Sequence, residues 1–200
     1  MDQNYHTPTA PDYLLKYSQV EGVGQLSFDT VDDASFPRHG FLGEIGGRMT
    51  GTSVGAPAAA SMGSVSAMGA FSSERHTVRL KGQWANNFNN TQENSYLQRL
   101  GGFLNLGGYS QNSLIGTEKA LAQTQYLYKV GELGGKPFYG GAAAEWGGVW
   151  NDGNEFDAIE GLFSGTVMVG LDTGIGPAYL GYSKGEGKAK SVYLYVGQAF

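Results

Sequence analysis

The sequence predicts an all-β fold, an antiparallel transmembrane β-barrel, and three observations support this prediction. Apolar and polar residues alternate with a period of two along about nine segments. The segments are about 8 to 14 residues long, which suits the roughly 9 to 11 residues of a tilted membrane strand better than the roughly 5 to 6 of a globular strand. Short turns at one end of the strands alternate with longer loops at the other end, as in membrane barrels.

The predicted strands cover most of the chain. The clearest alternation lies in three segments, Gly22 to Val31, Phe41 to Thr52 and His76 to Ala85. In the third segment, Val78, Leu80 and Trp84 fall on one face and the other face is polar. The remaining segments are Ala58 to Phe71, Lys119 to Val130, Tyr139 to Trp150, Leu162 to Asp172, Pro177 to Lys184 and Ser191 to Phe200. The longest predicted loop runs from Phe88 to Glu118, and the turns include Gly131 to Pro137.

A soluble antiparallel sandwich is the competing fold, because its strands alternate as well. Two features favour a barrel. Charged and amide side chains lie in mid-strand, among them Arg79, Gln123 and Glu145, which suits a water-filled interior. Aromatic residues gather toward segment ends, as in the interfacial girdles of membrane barrels. These residues are Trp84, Tyr126, Tyr128, Trp146 and Trp150.

The composition excludes several classes of protein. The 200 residues include 33 glycines and no cysteine, which excludes disulfide frameworks, thiolate metal sites and cysteine nucleophiles. The 13 basic residues are scattered among 18 acidic ones, so we expect no nucleic-acid partner. The three histidines lack metal-ligand spacing, and we expect neither a metal nor a cofactor.

Three blocks of the sequence carry recognisable motifs. The first joins Leu26 to Thr30 to an acidic turn with the pattern F-P-x-x-G. The second runs from Arg99 to Tyr109 and continues through Leu114 to Gly116. The third combines Gly176 to Tyr182 with the closing Tyr193 to Phe200. In this order the blocks resemble the bacterial surface antigen superfamily, which includes outer-membrane assembly factors, and they are most similar to the barrel of bacterial patatin-like phospholipases.

The resemblance implies the C-terminal part of an outer-membrane barrel of about sixteen strands. Residues 1–21 are expected to be an N-terminal extension or partial strand, and residues 22–200 the barrel part. The implied function is the anchor and translocator, as in autotransporter-like secretion, of a patatin-like phospholipase whose lipid acyl hydrolase domain lies outside this chain. The alternative is the barrel of an outer-membrane protein assembly or secretion factor. The implied location is the bacterial outer membrane, with its lipids as partners.

The edges of such a partial sheet need partners, because unpaired backbone groups are costly in lipid. Three possibilities are open: strands upstream in the same polypeptide, a second copy of the chain, or closure as a small barrel of about eight strands. We favour the first, which makes these residues a fragment of a longer product.

The resemblance also implies site residues. Phe200, with Val192, Leu194 and Val196 on the same face, resembles the signal by which the barrel assembly machinery recognises its substrates. In the long loop, many members carry an arginine that reaches an acidic residue inside the barrel, and Gly107 stands in its place here. The long-loop motif is Gly107, Gly108 and Tyr109. The turn motif is Asp29, Phe36, Pro37 and Gly40.

One motif suggests a hydrolase within the chain itself. Gly51 to Gly55 has the form G-x-S-x-G with Ser53 in the nucleophile position, and Asp152-Gly153 resembles the D-G pair of patatins. A working nucleophile elbow needs a helix after the serine, whereas Ser53 is followed by Gly55-Ala56-Pro57 and a small-residue strand. We therefore expect no catalytic residue in this chain, and an esterase that uses Ser53 and Asp152 is the least favoured alternative.

Overall fold

The computed structural model describes residues 20–51, 60–88, 97–151, 161–173 and 176–197, and within them eleven strands. Nine strands form one antiparallel sheet in which each strand pairs with the next. In sheet order they are β1 (Val20–Asp29), β2 (Gly40–Gly51), β3 (Ala60–Ser73), β4 (His76–Asn87), β7 (Glu118–Leu133), β8 (Lys136–Trp150), β9 (Leu162–Thr173), β10 (Gly176–Gly185) and β11 (Lys190–Val196). The short strands β5 (Gln98–Leu100) and β6 (Leu114–Gly116) form a separate hairpin.

The predicted all-β antiparallel fold is confirmed, and each of the nine predicted segments corresponds to a strand of the sheet. The described part of the chain holds no helix, and thus none with the length and hydropathy to cross a membrane. Two predictions about connections are wrong. The turn after β7 is only Gly134 and Gly135, because two glycines with φ of 59° and 76° suit a two-residue hairpin. The predicted loop from Phe88 to Glu118 contains β5 and β6.

One face of the sheet, here called the outer face, is apolar and exposed. Large apolar side chains point outward from β1 to β11, and many of them are more than half exposed. Examples are Leu26, Phe28, Phe41, Ile45, Met49, Phe163, Val167, Leu180, Val192, Leu194 and Val196. Trp84 and Trp146 share this face, but the predicted girdle residue Trp150 is only 5% exposed, since its ring lies over Gly148.

The opposite, inner face is polar and largely covered from β4 through β7 to β10. Arg79, Gln123, Gln125 and Glu145 point inward and are all less than 10% exposed. A water-filled interior was the expectation for these residues, and it is wrong for this part of the sheet. The reason is that residues 97–117 and the turn between β1 and β2 lie on them.

An aromatic cluster joins the two covering segments. Phe36, from the turn after β1, stacks on Tyr139 with ring centroids 4.7 Å apart and also contacts Tyr179. Phe103, from the long loop, also contacts Tyr179, with ring centroids 5.4 Å apart. Tyr193 and Tyr195 of β11 also contact Phe103. Segments that enter from opposite ends of the sheet therefore meet at Tyr179.

We expect Phe36→Ala to destabilise the protein by about 3–5 kcal/mol, because it empties a site in this cluster. Phe41→Ala is the matched control: Phe41 is 53% exposed on the outer face, whereas Phe36 is 4% exposed, so its truncation removes less packing. Denaturant unfolding of the refolded protein in detergent micelles measures both changes. Equal losses for the two variants would contradict the interior position of Phe36.

Candidate functional site

The candidate site is the part of the inner face that binds the long loop. We call it the loop seat, and its side chains that bind the loop are those of Gln123, Glu145, Ser164 and Tyr193. We call residues 97–117 the inner loop. The paired strands β5 and β6 form its base, with Gln98 opposite Gly116. The Thr117 N–H donates to the Trp150 carbonyl at 2.8 Å, and the Thr117 carbonyl accepts from the Asn87 N–H at 3.0 Å. The loop is thereby fixed to β4 and β8 before it turns inward.

Glu145 of β8 is the centre of the seat. Its carboxylate is 2% exposed and accepts the backbone N–H of Gly107 at 2.8 Å and that of Leu106 at 3.3 Å. The Gln123 amide of β7 donates to the same carboxylate at 3.0 Å and to the Leu104 carbonyl at 2.9 Å. A buried carboxylate is tolerated only when such donors surround it. Glu145 and Gln123 therefore bind the backbone of the inner loop.

The long-loop motif contacts three further parts of the sheet. The Gly108 N–H donates to the Ser164 hydroxyl of β9 at 2.8 Å. The Tyr193 hydroxyl of β11 donates to the carbonyls of Gly107, at 2.7 Å, and Tyr109, at 3.1 Å. The Tyr109 hydroxyl accepts the N–H of Glu186, just after β10, at 3.3 Å. The motif thus ties the edge strand β11 to β8 and β9 from inside.

Glycine is required in the seat because the loop backbone approaches β10 closely. A Cβ atom on Gly107 would lie 2.5 Å from the Ser183 hydroxyl and 2.9 Å from the Thr166 hydroxyl. A Cβ atom on Gly108 would overlap the backbone of Gly185. Side chains at these two positions would lift the loop off the sheet.

Two leucines of the inner loop adopt a backbone conformation that leucine rarely takes. Leu104 and Leu106 have φ of 53° and 64°. Such residues persist only where their surroundings fix them. Both side chains are buried, and Leu106 packs with Leu100 and Leu121. Packing therefore selects this loop conformation.

At position 107 a backbone contact takes the place of the arginine contact that many members of the resembling superfamily make. Gly107, which has no side chain, stands where the resemblance places an arginine, so no salt bridge forms there. An acidic residue is present inside the sheet, Glu145, and the Gly107 N–H donates to it. Sequence reasoning identified Glu145 only as a polar residue in mid-strand. Its inward position near the middle of β8 is the one available signal, because a backbone donor leaves no mark in the sequence.

The turn motif fixes the first hairpin. The Asp29 carboxylate accepts the Val31 N–H at 2.9 Å, and the Pro37 carbonyl accepts from the Arg79 side chain at 2.8 Å. Gly40 has a φ of 108°, and a side chain there would overlap the Thr30 carbonyl. Phe36 lies in the aromatic cluster. All four motif residues therefore contribute to the structure of this turn.

Asp32 also belongs to this turn. Partial burial acts to raise the pKa of Asp32, but hydrogen bonds from the N–H groups of His39 and Arg38 outweigh it and hold the pKa below its usual range. A lowered pKa in the folded state means that the ionised carboxylate stabilises the turn at neutral pH. This stabilisation is lost as the pH falls through the lowered pKa.

The remaining predicted site residues are not brought to the loop seat. Val192, Leu194 and Val196 point outward from β11, with exposed fractions of 73%, 80% and 54%. Phe200, Ser53 and Asp152 lie outside the described residues. Among the described residues, no group of three histidine, aspartate or glutamate side chains is placed to hold a metal ion.

The sheet has two open edges in the part of the chain that the structure describes. β1 and β11 do not pair with each other, and all ten residues of β1 are exposed. Because all neighbours in this nine-stranded sheet are antiparallel, β1 and β11 run in the same direction. Antiparallel closure therefore needs an odd number of additional strands. Self-closure would need β11 to pair with β1 in parallel, and so would a ring of two copies that run in the same direction.

The architecture is that of part of a β-barrel, and a solved structure shares it. The chain is similar to BamA from Haemophilus ducreyi in a form lacking POTRA domains 1–3, with a TM-score of 0.69 and 14% identity. The similarity covers 87% of this chain and 40% of the BamA chain. At this identity it shows the fold alone. No family model matches the sequence, and a search of curated proteins gives no match.

We expect Gly107→Ala to displace the inner loop, because the added methyl group overlaps Ser183 and Thr166. Overpacking of this kind costs about 1–3 kcal/mol. Gly82→Ala is the matched control, since a Cβ atom there meets nothing within 4 Å and neither glycine has a positive φ. Hydrogen exchange should show that the backbone amides of positions 107 and 108 exchange faster in G107A than in the wild type, and that G82A leaves their exchange unchanged. Unchanged protection in G107A would contradict the described seat.

Proposed function

We propose that this chain is part of an outer-membrane β-barrel that anchors a passenger domain and takes part in its translocation. The observation that carries the proposal is the outer face. Exposed apolar patches on soluble monomers rarely exceed about 300–600 Å², whereas here large apolar side chains stay exposed from β1 to β11. Lipid is the environment that suits such a face, and the polar inner face suits a barrel interior.

The open edges support a barrel that is completed by other strands. Each unpaired backbone group would cost several kcal/mol in hydrocarbon. The parallel direction of β1 and β11 disfavours self-closure and a ring of two copies inserted in the same direction, because parallel pairing is slightly less stable and rare in such barrels. An inverted second copy would pair antiparallel, but it would place the loop ends of the two copies on opposite sides of the membrane, whereas such barrels have their long loops on one side. An odd number of antiparallel strands from residues upstream in the same polypeptide is the arrangement we propose.

Two candidates remain for the role of the full-length protein, and different observations favour them. The resemblance of the three sequence blocks favours the anchor of a patatin-like phospholipase. The fold similarity to BamA, an outer-membrane assembly barrel, favours an assembly or secretion factor. The domain that precedes the barrel in the full-length protein separates the two. A hydrolase domain supports the anchor, whereas periplasmic repeat domains support the assembly factor.

We expect Val167→Arg to destabilise the membrane-inserted protein by about 2–4 kcal/mol, because it places a charge in mid-strand on the outer face. Leu133→Arg is the matched control: Leu133 is 62% exposed and Val167 59%, but Leu133 lies at the turn end of β7, where the cost is about 0–1 kcal/mol. Unfolding from lipid vesicles measures both. On a soluble surface both changes would stay within about 0.5 kcal/mol, and that result would overturn the proposal.

We also propose that the barrel assembly machinery recognises strand β11 together with Phe200. The outward row of Val192, Leu194 and Val196 supports this reading, since it presents an apolar edge strand. Deletion of Phe200 from the full-length protein should lower its yield in the outer membrane, measured as heat-modifiable protein in that fraction. Phe200→Tyr, which keeps the aromatic ring, is the control. A normal yield after deletion would remove the recognition role.

A further inference from the structure

A group of three lysines lies at the loop end of β10 and β11. Lys184 and Lys190 are directly opposite each other in the antiparallel pairing, and Lys188 lies in the turn between the two strands. All three side chains are exposed. Lys184 follows the alternation of Leu180 and Tyr182, and Lys190 that of Val192 and Leu194, so both belong to the outer face. We call these three residues the lysine cluster.

The arrangement is unfavourable without an anion. Like charges directly opposite on neighbouring strands destabilise a sheet. Within the described residues, none of the three lysines forms an ion pair. The one acidic residue of this segment, Glu186, uses its carboxylate to accept the Phe163 N–H at 2.9 Å. The cluster therefore presents a net positive charge to the surroundings.

The surface next to the cluster is apolar. Tyr182 is paired with Val192, and Leu180 with Leu194, on the same face and immediately toward the middle of the strands. Their exposed fractions are 44%, 73%, 54% and 80% in that order. Cations that border an apolar strip complement an amphiphile with acyl chains and an anionic headgroup. A free anion would not use the strip.

We propose that the lysine cluster binds the phosphate groups of a lipid in the leaflet on the loop side of the membrane. The proposal rests on the proposed function, because it needs the outer face to contact lipid. The ammonium groups of lysine bind phosphate as compact point charges. Each lysine near an anionic lipid surface contributes about fivefold in affinity. Loss of all three should therefore weaken retention of the lipid at least about tenfold.

The test uses the full-length protein in nanodiscs that contain phosphatidylcholine and lipid A, the phosphate-bearing probe. Native mass spectrometry measures how much lipid A stays bound. The triple variant K184Q/K188Q/K190Q should lose this retention, and K184R/K188R/K190R should keep it. Lys136→Gln, at the turn end of β8, is the positional control and should behave as the wild type. Equal retention by the glutamine variant, or no preference for lipid A in the wild type, would overturn the proposal.

Two further measurements distinguish a lipid site from a free-anion site and from a cluster neutralised by the chain's own carboxylates. Displacement of lipid A by inorganic phosphate would show a free-anion site and overturn the lipid assignment.

Residues 152–160, which connect β8 and β9 at this end, contain Asp152, Glu155, Asp157 and Glu160. If they neutralise the lysines, the glutamine variant will lose stability in pure phosphatidylcholine without a change in lipid A retention, which overturns the proposal. Failure of the proposed function differs from all of these, since the wild type would then not insert into bilayers.

Discussion

Backbone groups inside hydrocarbon must all be paired within the protein, and in the membrane setting that we propose this requirement is the main constraint on the structure. It accounts for the nine antiparallel strands in one continuous sheet and, among the described residues, for irregular segments that lie at the strand ends and on the inner face. It also makes the two edges informative. β1 and β11 run in the same direction, so the direction of the strands, independently of any resemblance, restricts what can complete the sheet in a membrane.

The inner loop shows how an interior can be filled without a long cationic side chain. Glu145 and Gln123 contact the loop through its backbone, and glycines at 107 and 108 allow that backbone to reach the sheet. Charge-assisted hydrogen bonds to backbone N–H groups satisfy a carboxylate that would otherwise be costly to bury. Tyr193 binds the same loop segment from β11. The loop seat therefore holds one edge strand from inside, whereas β1 has all its residues exposed.

Much of the fold could be predicted from the sequence, because alternation with a period of two is a local property. The strand around Val78, Leu80 and Trp84 is an example, and the structure places these three residues on one face. The exact position of a turn was harder to predict. The stretch from Gly131 to Pro137 has several turn-forming residues, but only the pair Gly134 and Gly135 makes the turn.

The candidate site was much harder to predict. The contact of Glu145 with the Gly107 N–H joins residues 38 positions apart and depends on a backbone donor that every non-proline residue has. The resemblance pointed to position 107 but gave no contact for a glycine. The burial of Arg79 and Gln125 could not be predicted from the sequence either. Polar residues at these positions suit a water-filled interior equally well, and only the contacts of distant segments show that they are covered.

The most direct test of the lipid-facing outer face is a cysteine scan of β9. Because these 200 residues contain no cysteine, each introduced cysteine is their only labelling site. Spin labels placed singly along residues 163–169 of the protein in lipid bilayers report collision with oxygen, which is enriched in hydrocarbon. We predict high oxygen accessibility at Phe163, Val167 and Val169 and low values at Ser164, Thr166 and Met168. Accessibility without this period of two, or a preference of Val167 for water-soluble quenchers, would contradict the assignment of the outer face to lipid.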